Sequence, residues 1–182
     1  MKTESTVKFV IRLAATLLII TAVVAAALAG VNSVTAPSIA AANEKKTQEA
    51  VEAVLPGGGE VVDFTASTDM VSEVYKGDNG YAVKVAPGGF GGAIEMMVGI
   101  DKEGNVLGIS IIKHAETPSL GAVAAAKGSA GENFRGSFVG LSGEVKVSKD
   151  GGDADTISGA TITSRAVAAG VNAALECVKN FG

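Results

Sequence analysis

Nineteen consecutive residues without a charge, residues 13–31, constrain this chain more than any other feature. Only Thr16 and Thr21 interrupt a run of Leu, Ile, Val, Ala and Gly. Coiled as a helix, such a stretch covers about 28 Å, close to the hydrocarbon thickness of a bilayer. Lys2, Lys8 and Arg12 precede it. That bias predicts a cytoplasmic N-terminus (residues 1–12), a transmembrane helix (13–31) and a chain that continues on the extracytoplasmic side. The alternative is a cleaved signal peptide, for which Ala27-Leu28-Ala29 has suitable small-residue spacing. Signal-peptide apolar cores run about 7–15 residues, shorter than this stretch, so a retained anchor is expected. Both readings place the remainder outside the cytoplasm. Lipoprotein anchoring is not expected, because no cysteine stands at the end of the span.

A chain of 182 residues then leaves room for one modest domain. The net charge of −4 comes from interspersed acidic and basic residues, with no basic stripe, so nucleic acid is not an expected partner. A single cysteine, Cys177, excludes a disulfide within the chain and any multi-thiolate zinc or iron–sulfur site. The single histidine, His114, excludes a multi-histidine metal centre built by this chain alone. Cys177 falls on the apolar face of the last predicted helix, the place of a small buried hydrophobe.

Past the span, residues 36–55 predict an amphipathic helix. Pro37 would sit in its first turn, Ile39, Ala42, Val51, Val54 and Leu55 would share one side, and Pro56-Gly57-Gly58-Gly59 would stop it. Residues 32–58 therefore connect the span to a domain over residues 59–182. Within that domain, residues 60–64, 71–75 and 81–85 alternate apolar and polar side chains, as half-buried strands do. Residues 93–100 and 106–113 flank a turn at 101–105 and form the strongest hairpin signal. Met96 and Met97 are neighbours on a strand, so at most one of them is expected in the core. A short helix with loops is expected over 119–136, a strand over 144–148, and a final helix over 164–179, where Val167, Val171, Ala174, Leu175 and Val178 recur at helical spacing. Strands flanked by helices predict an α+β fold: one N-terminal transmembrane helix followed by a single domain with a mostly antiparallel sheet.

The chemically informative stretch is Asp155-Thr156-Ile157-Ser158-Gly159-Ala160-Thr161-Ile162-Thr163-Ser164. Its small residues let a ligand approach the backbone. Its hydroxyls and N–H groups lie near a helix N-terminus, where an anion is favoured. The residues alone leave two readings open, an anion site or ordinary Ser/Thr capping. No nucleophile constellation or general acid–base pair stands out, so no independent catalytic site is expected.

Asp155 to Thr161 resembles the D-x-x-[S/T]-G-A-T motif of FMN-binding domains flavinylated through a phosphoester, with every constrained position matched. Gly89-Phe90-Gly91-Gly92-Ala93-Ile94, Val98-Gly99-Ile100-Asp101, Gly104-Asn105-Val106, His114-Ala115-Glu116-Thr117-Pro118-Ser119-Leu120-Gly121 and the pair Phe134 and Phe138 resemble further segments of that family in the same order. Ser119 departs from the family's usual glycine. The chain is similar to the G subunits of Rnf-type complexes, which couple ferredoxin:NAD oxidation–reduction to Na⁺ or H⁺ movement. The C subunits of Na⁺-translocating NADH:quinone reductases share the domain but are longer.

The resemblance implies FMN held covalently on Thr161, with Thr163 as the fallback attachment site. It implies that Ser158, Gly159 and Ala160 cradle the phosphate and that Glu116, Thr117 and Leu120 line the flavin ring. Asp155 would order the loop or help a flavin transferase during maturation. The glycines at 88, 89, 91 and 92 would either admit the ring or make a bend. His114 would be structural or would assist proton transfer. The implied partners are integral membrane subunits of the complex, among them a second flavinylated subunit, and the implied activity is electron relay as a redox subunit of an ion-translocating oxidoreductase. A non-redox anchored binding or assembly domain, with its Ser-Gly-Ala-Thr segment only a cap, is the alternative of another class.

Overall fold

The computed structural model describes residues 3–64 and 68–179; Lys2 lies outside them. The chain divides into two units, residues 1–44 and 45–182. Helix α1, Thr3–Val54, begins in the first and ends in the second. In the first unit its apolar side chains face outward, Leu17 and Leu18 being 64% and 67% exposed. The helix is long and apolar enough to cross a membrane, by length and composition. Its two polar interruptions are satisfied internally. The Thr16 hydroxyl donates to the Arg12 carbonyl (2.8 Å) and that of Thr21 to the Leu17 carbonyl (2.9 Å).

Pro37 lies inside α1 and not in the first turn of a separate helix. A proline removes one i→i−4 bond, and the helix-forming Ala, Glu, Lys and Gln residues that follow carry α1 onward. The amphipathic side is also shorter than residues 36–55 predict. Ile39 is 53% exposed, whereas Ala50, Val51, Val54 and Leu55 are buried.

In the second unit five strands form one antiparallel sheet in sequential order: β1 Glu60–Val61, β2 Val71–Gly77, β3 Gly80–Val85, β4 Glu95–Asp101 and β5 Val106–Lys113. The β2–β3 turn is tight, Gly77 pairing with Gly80 across Asp78 and Asn79. Asp101 fixes the β4–β5 turn by accepting the Asn105 backbone N–H (2.7 Å) and side-chain amide (2.9 Å). The predicted strand over 144–148 is absent as a ladder; a lone parallel bridge joins Val147 to Ala154. The Asn172 side chain takes the place of a neighbouring strand there, accepting from Val145 N–H and donating to its carbonyl, each at 2.8 Å. Beyond β5 come a 3₁₀ turn at Gly121–Ala125, helix α2 at Ser129–Gly136, a second 3₁₀ turn at Ser148–Asp150 and helix α3 at Thr161–Lys179.

Two apolar layers hold the sheet. Val74, Val83, Met96, Val98 and Ile100 cluster with Val167, Val171, Ala174 and Leu175 of α3 and with Phe134 and Phe138, whose rings meet edge to face at 5.3 Å. Ala82 and Met97 cluster with Ala50, Val51, Val54 and Leu55. Met96 and Met97 are therefore both fully buried, contrary to the expectation that one of them faces solvent. The cause is that both faces of β4 are covered, so alternation no longer separates core from surface. Cys177 is buried in the first layer, and burial pushes its thiol pKa up, which suits an inert packing residue.

The end of α1 reaches the sheet because residue 99 has no side chain. A Cβ at Gly99 would collide with the Val54 carbonyl oxygen. That neighbour is backbone and cannot swing aside. Gly99→Ala is expected to destabilise the second unit by about 1–3 kcal/mol, the usual cost of overpacking. Urea unfolding of the full chain in detergent, followed by Tyr fluorescence, measures it.

Candidate functional site

The site is built where three segments meet at one end of the sheet: the glycine-rich loop between β3 and β4, the loop after β5, and the start of α3. The last begins with a turn at residues 157–160, closed by Ala160 N–H to the Ile157 carbonyl at 3.0 Å. Gly159, at φ +75°, takes the left-handed position in that turn, which side-chain-bearing residues resist. Helix α3 then starts at Thr161, three residues earlier than the predicted start at 164. Ser164 explains the difference. Its hydroxyl accepts the Ile157 N–H (3.0 Å) and donates to the Ala160 carbonyl (3.0 Å), while its own N–H makes the first intrahelical bond, to Ala160. Thr161 and Thr163 thus stand within the first turn, not at the cap. The N–H groups of Thr161, Ile162 and Thr163 precede that first intrahelical bond.

The two threonines differ. Thr163 is 2% exposed and its hydroxyl donates a hydrogen bond to Glu116 Oε2. Thr161 is half-buried, faces the pocket, and its hydroxyl makes no hydrogen bond among the described residues.

Glu116 is itself buried, and its other oxygen accepts the Gly91 N–H at 2.9 Å. Its backbone N–H donates to His114 Nδ1 at 3.2 Å, so His114 orders the turn that presents Glu116. The glycine-rich loop packs against this turn. A Cβ at Gly91 would meet the Ala115 carbonyl, and one at Gly89 would meet the Glu116 carboxylate. These glycines are thus accounted for by close packing within the protein.

A pocket of about 350 Å³ lies among these segments, within the range of small-molecule sites. Of the residues singled out from sequence, Glu116, Thr117, Leu120, Gly159, Ala160, Thr161 and Thr163 line it together. Ser158 and Asp155 are exposed and do not line it; the Asp155 N–H donates to Ser137 Oγ at 2.8 Å. Phe90, Gly121, Lys149 and Ile162 also line it and were not assigned from sequence. Phe90, Leu120 and Ile162 form an apolar rim, 69%, 43% and 52% exposed. Lys149 brings the positive charge. Its neighbour Asp150 is gripped by Arg165 in two bonds, Nε to Oδ2 at 2.8 Å and Nη2 to Oδ1 at 2.6 Å. The guanidinium holds the Asp150 carboxyl below the usual carboxylate range. A free hydroxyl, helix N–H groups, a cation and an apolar rim together suit a ligand with a flat ring and a phosphate.

The FMN-binding domain family matches residues 89–176. The G subunit of the Na⁺-translocating ferredoxin:NAD⁺ oxidoreductase complex of Acetobacterium woodii is 33% identical over 96% of this chain and 94% of its own length. The G subunit of the ion-translocating oxidoreductase complex of Methanosarcina acetivorans is 31% identical over 94% and 95%. Its counterpart in Yersinia pestis is 48% identical over 50% of this chain and 45% of its own. The chain belongs to the G-subunit family of ion-translocating oxidoreductase complexes. The matched residues run from Gly89 within the glycine-rich loop, through the loop after β5, to most of α3.

In this G-subunit chain the departure at Ser119 has a visible cost. Ser119 adopts φ +61°, the left-handed conformation that glycine occupies freely. Ser119→Gly is expected to stabilise the domain by up to about 1 kcal/mol, the strain relieved being partly offset by a floppier unfolded chain. Thermal unfolding of the two proteins side by side checks it.

Proposed function

We propose that this chain is an electron-transfer subunit of a membrane-bound, ion-translocating ferredoxin:NAD oxidoreductase and carries FMN through a phosphoester on Thr161. The observation that carries the reading is the contrast between the two threonines. In a segment with the flavinylation motif, the pocket-facing Thr161 hydroxyl is unengaged, while that of Thr163 is committed to Glu116. Attachment joins the FMN phosphorus of FAD to Thr161 Oγ1. The pyrophosphate bond breaks, AMP leaves, and the hydroxyl proton is released. A flavin transferase is the partner for that step.

FMN, once bound, supplies one-electron chemistry that no side chain here can provide. The chain's own residues bind and orient it. Ala160 and the first turn of α3 face the phosphate, with Gly159 keeping the approach open. Thr117 and Leu120 flank the ring, and Glu116 braces the pocket wall. Ser158 and Asp155, exposed outside the pocket, serve recognition by the transferase on this reading. The span at 13–31 anchors the chain, with Lys8 and Arg12 on the cytoplasmic side and residues 59–182 extracytoplasmic. Its partners are the integral membrane subunits of the complex, including a second flavinylated subunit.

Mass spectrometry of the native protein, made with its transferase, is expected to find FMN on the peptide spanning residues 155–165. Thr161→Ala should abolish the flavin fluorescence that survives denaturing electrophoresis, and Thr163→Ala should retain it. Retention in Thr161→Ala would move the attachment to Thr163, and an unmodified native peptide would refute covalent attachment.

A further inference from the structure

We propose that Lys149 is the cation that holds the FMN phosphate, an inference that rests on the reading of this pocket as the FMN site. Lys149 lines the same pocket as Thr161. Among the described residues its side chain makes no ion pair, although Asp150 is the next residue. Asp150 is instead gripped by Arg165 through the two-pronged guanidinium contact, and Lys149 acts on its carboxyl only at longer range.

The segment bearing Lys149 is fixed from several sides. Residues Ser148–Asp150 form a 3₁₀ turn that ends at Gly151, at φ +80°. The Thr156 hydroxyl is 3.0 Å from Ser148 Oγ and accepts the Lys149 N–H at 3.2 Å. Val147 bridges to Ala154 behind it. Arg165 belongs to α3, the helix whose first residue is Thr161, so the clamp ties the lysine-bearing turn to the helix carrying the acceptor hydroxyl. An exposed ion pair of this kind adds little to global stability. Its effect is local: it fixes where the turn sits relative to α3. Asp150 and Arg165 are thus positioning residues for Lys149.

A phosphodiester keeps one negative charge after transfer, and a lysine ammonium meets it as a point charge free to choose among its oxygens. Riboflavin has the same ring and no phosphate, so the two ligands separate ring binding from phosphate binding. The test uses full-length Thr161→Ala protein in detergent, which cannot be covalently modified at residue 161, titrated with FMN and with riboflavin by flavin fluorescence. FMN is expected to bind about tenfold more tightly than riboflavin, the scale of one charge-assisted hydrogen bond. Adding Lys149→Gln should remove most of that preference, leaving the share of the helix N–H groups, without changing riboflavin affinity, and Lys149→Arg should restore most of it. Asp150→Asn should lower the preference in part, again with riboflavin affinity unchanged. Circular dichroism and melting temperature confirm that each variant is folded. An equal preference with and without Lys149, or no preference or binding in the Thr161→Ala protein, overturns the assignment. A native Thr161 peptide that carries FMN alongside an unchanged preference defeats the Lys149 inference alone. A native peptide without FMN, with a preference that depends on Lys149, defeats covalent attachment alone.

Discussion

The site depends on one buried carboxylate. Glu116 accepts the Gly91 N–H with one oxygen and the Thr163 hydroxyl with the other, and so ties together segments 25 residues before it and 47 after it. A carboxylate taken out of water is costly unless donors replace the lost hydration. Here both oxygens find donors, and each comes from a different wall of the pocket. The glycine-rich loop can come this close because Gly89 and Gly91 lack side chains where the turn after β5 passes. Among the described residues, no other hydrogen bond joins these three segments.

That tie also separates two threonines that look alike in the sequence. They are two residues apart on a helix, about 200° around its axis at 3.6 residues per turn, so they face different ways. Both line the pocket, but Thr163 is buried with its hydroxyl on Glu116, whereas Thr161 is half-buried with its hydroxyl unengaged among the described residues. The sorting requires the helix to begin at Thr161. A start at 164 would leave residues 161–163 in an irregular cap with no defined facing. Ser164 sets the start by closing the turn at Ile157 onto the carbonyl of Ala160. A hydroxyl that reads as a cap from sequence is, in the fold, the staple that frees Thr161 from capping.

Much of the sheet was legible in the chain. Residues 106–113 coincide with β5, and the alternation in 71–75 and 81–85 marks the cores of β2 and β3. Both signals are local: a period of two and a turn between. What escaped depends on contacts far along the chain. The buried pair Met96 and Met97 requires knowing that the end of α1 covers the second face. The extended segment at 144–148 satisfies Val145 through Asn172, a partner 27 residues away, and no local pattern announces it. Of the motif residues, Gly159, Ala160 and Thr161 line the pocket, because their spacing is fixed within one segment, while Ser158 and Asp155 lie outside it. Lys149 and Ile162 were missed because a lone surface lysine and an exposed isoleucine carry no signal until a fold puts them on one pocket.

The apolar rim bears on how such a pocket could work. A substrate-converting site gains from enclosure, because excluded water strengthens its electrostatics and prevents side reactions. Phe90, Leu120 and Ile162 surround the pocket yet remain largely open to solvent. If FMN is tethered at Thr161, the phosphate end is secured by covalent chemistry, and the ring needs no deep cavity to retain it. The weak enclosure that would be a defect in a site for a diffusing cofactor then becomes compatible with function. A ring so tethered would keep an exposed edge for electron exchange, and Phe90, Leu120 and Ile162 would lie beside it. Tether and openness are therefore two sides of one arrangement. On the proposed attachment, the start of α3 would secure the cofactor at its phosphate end and the open rim would leave its ring accessible.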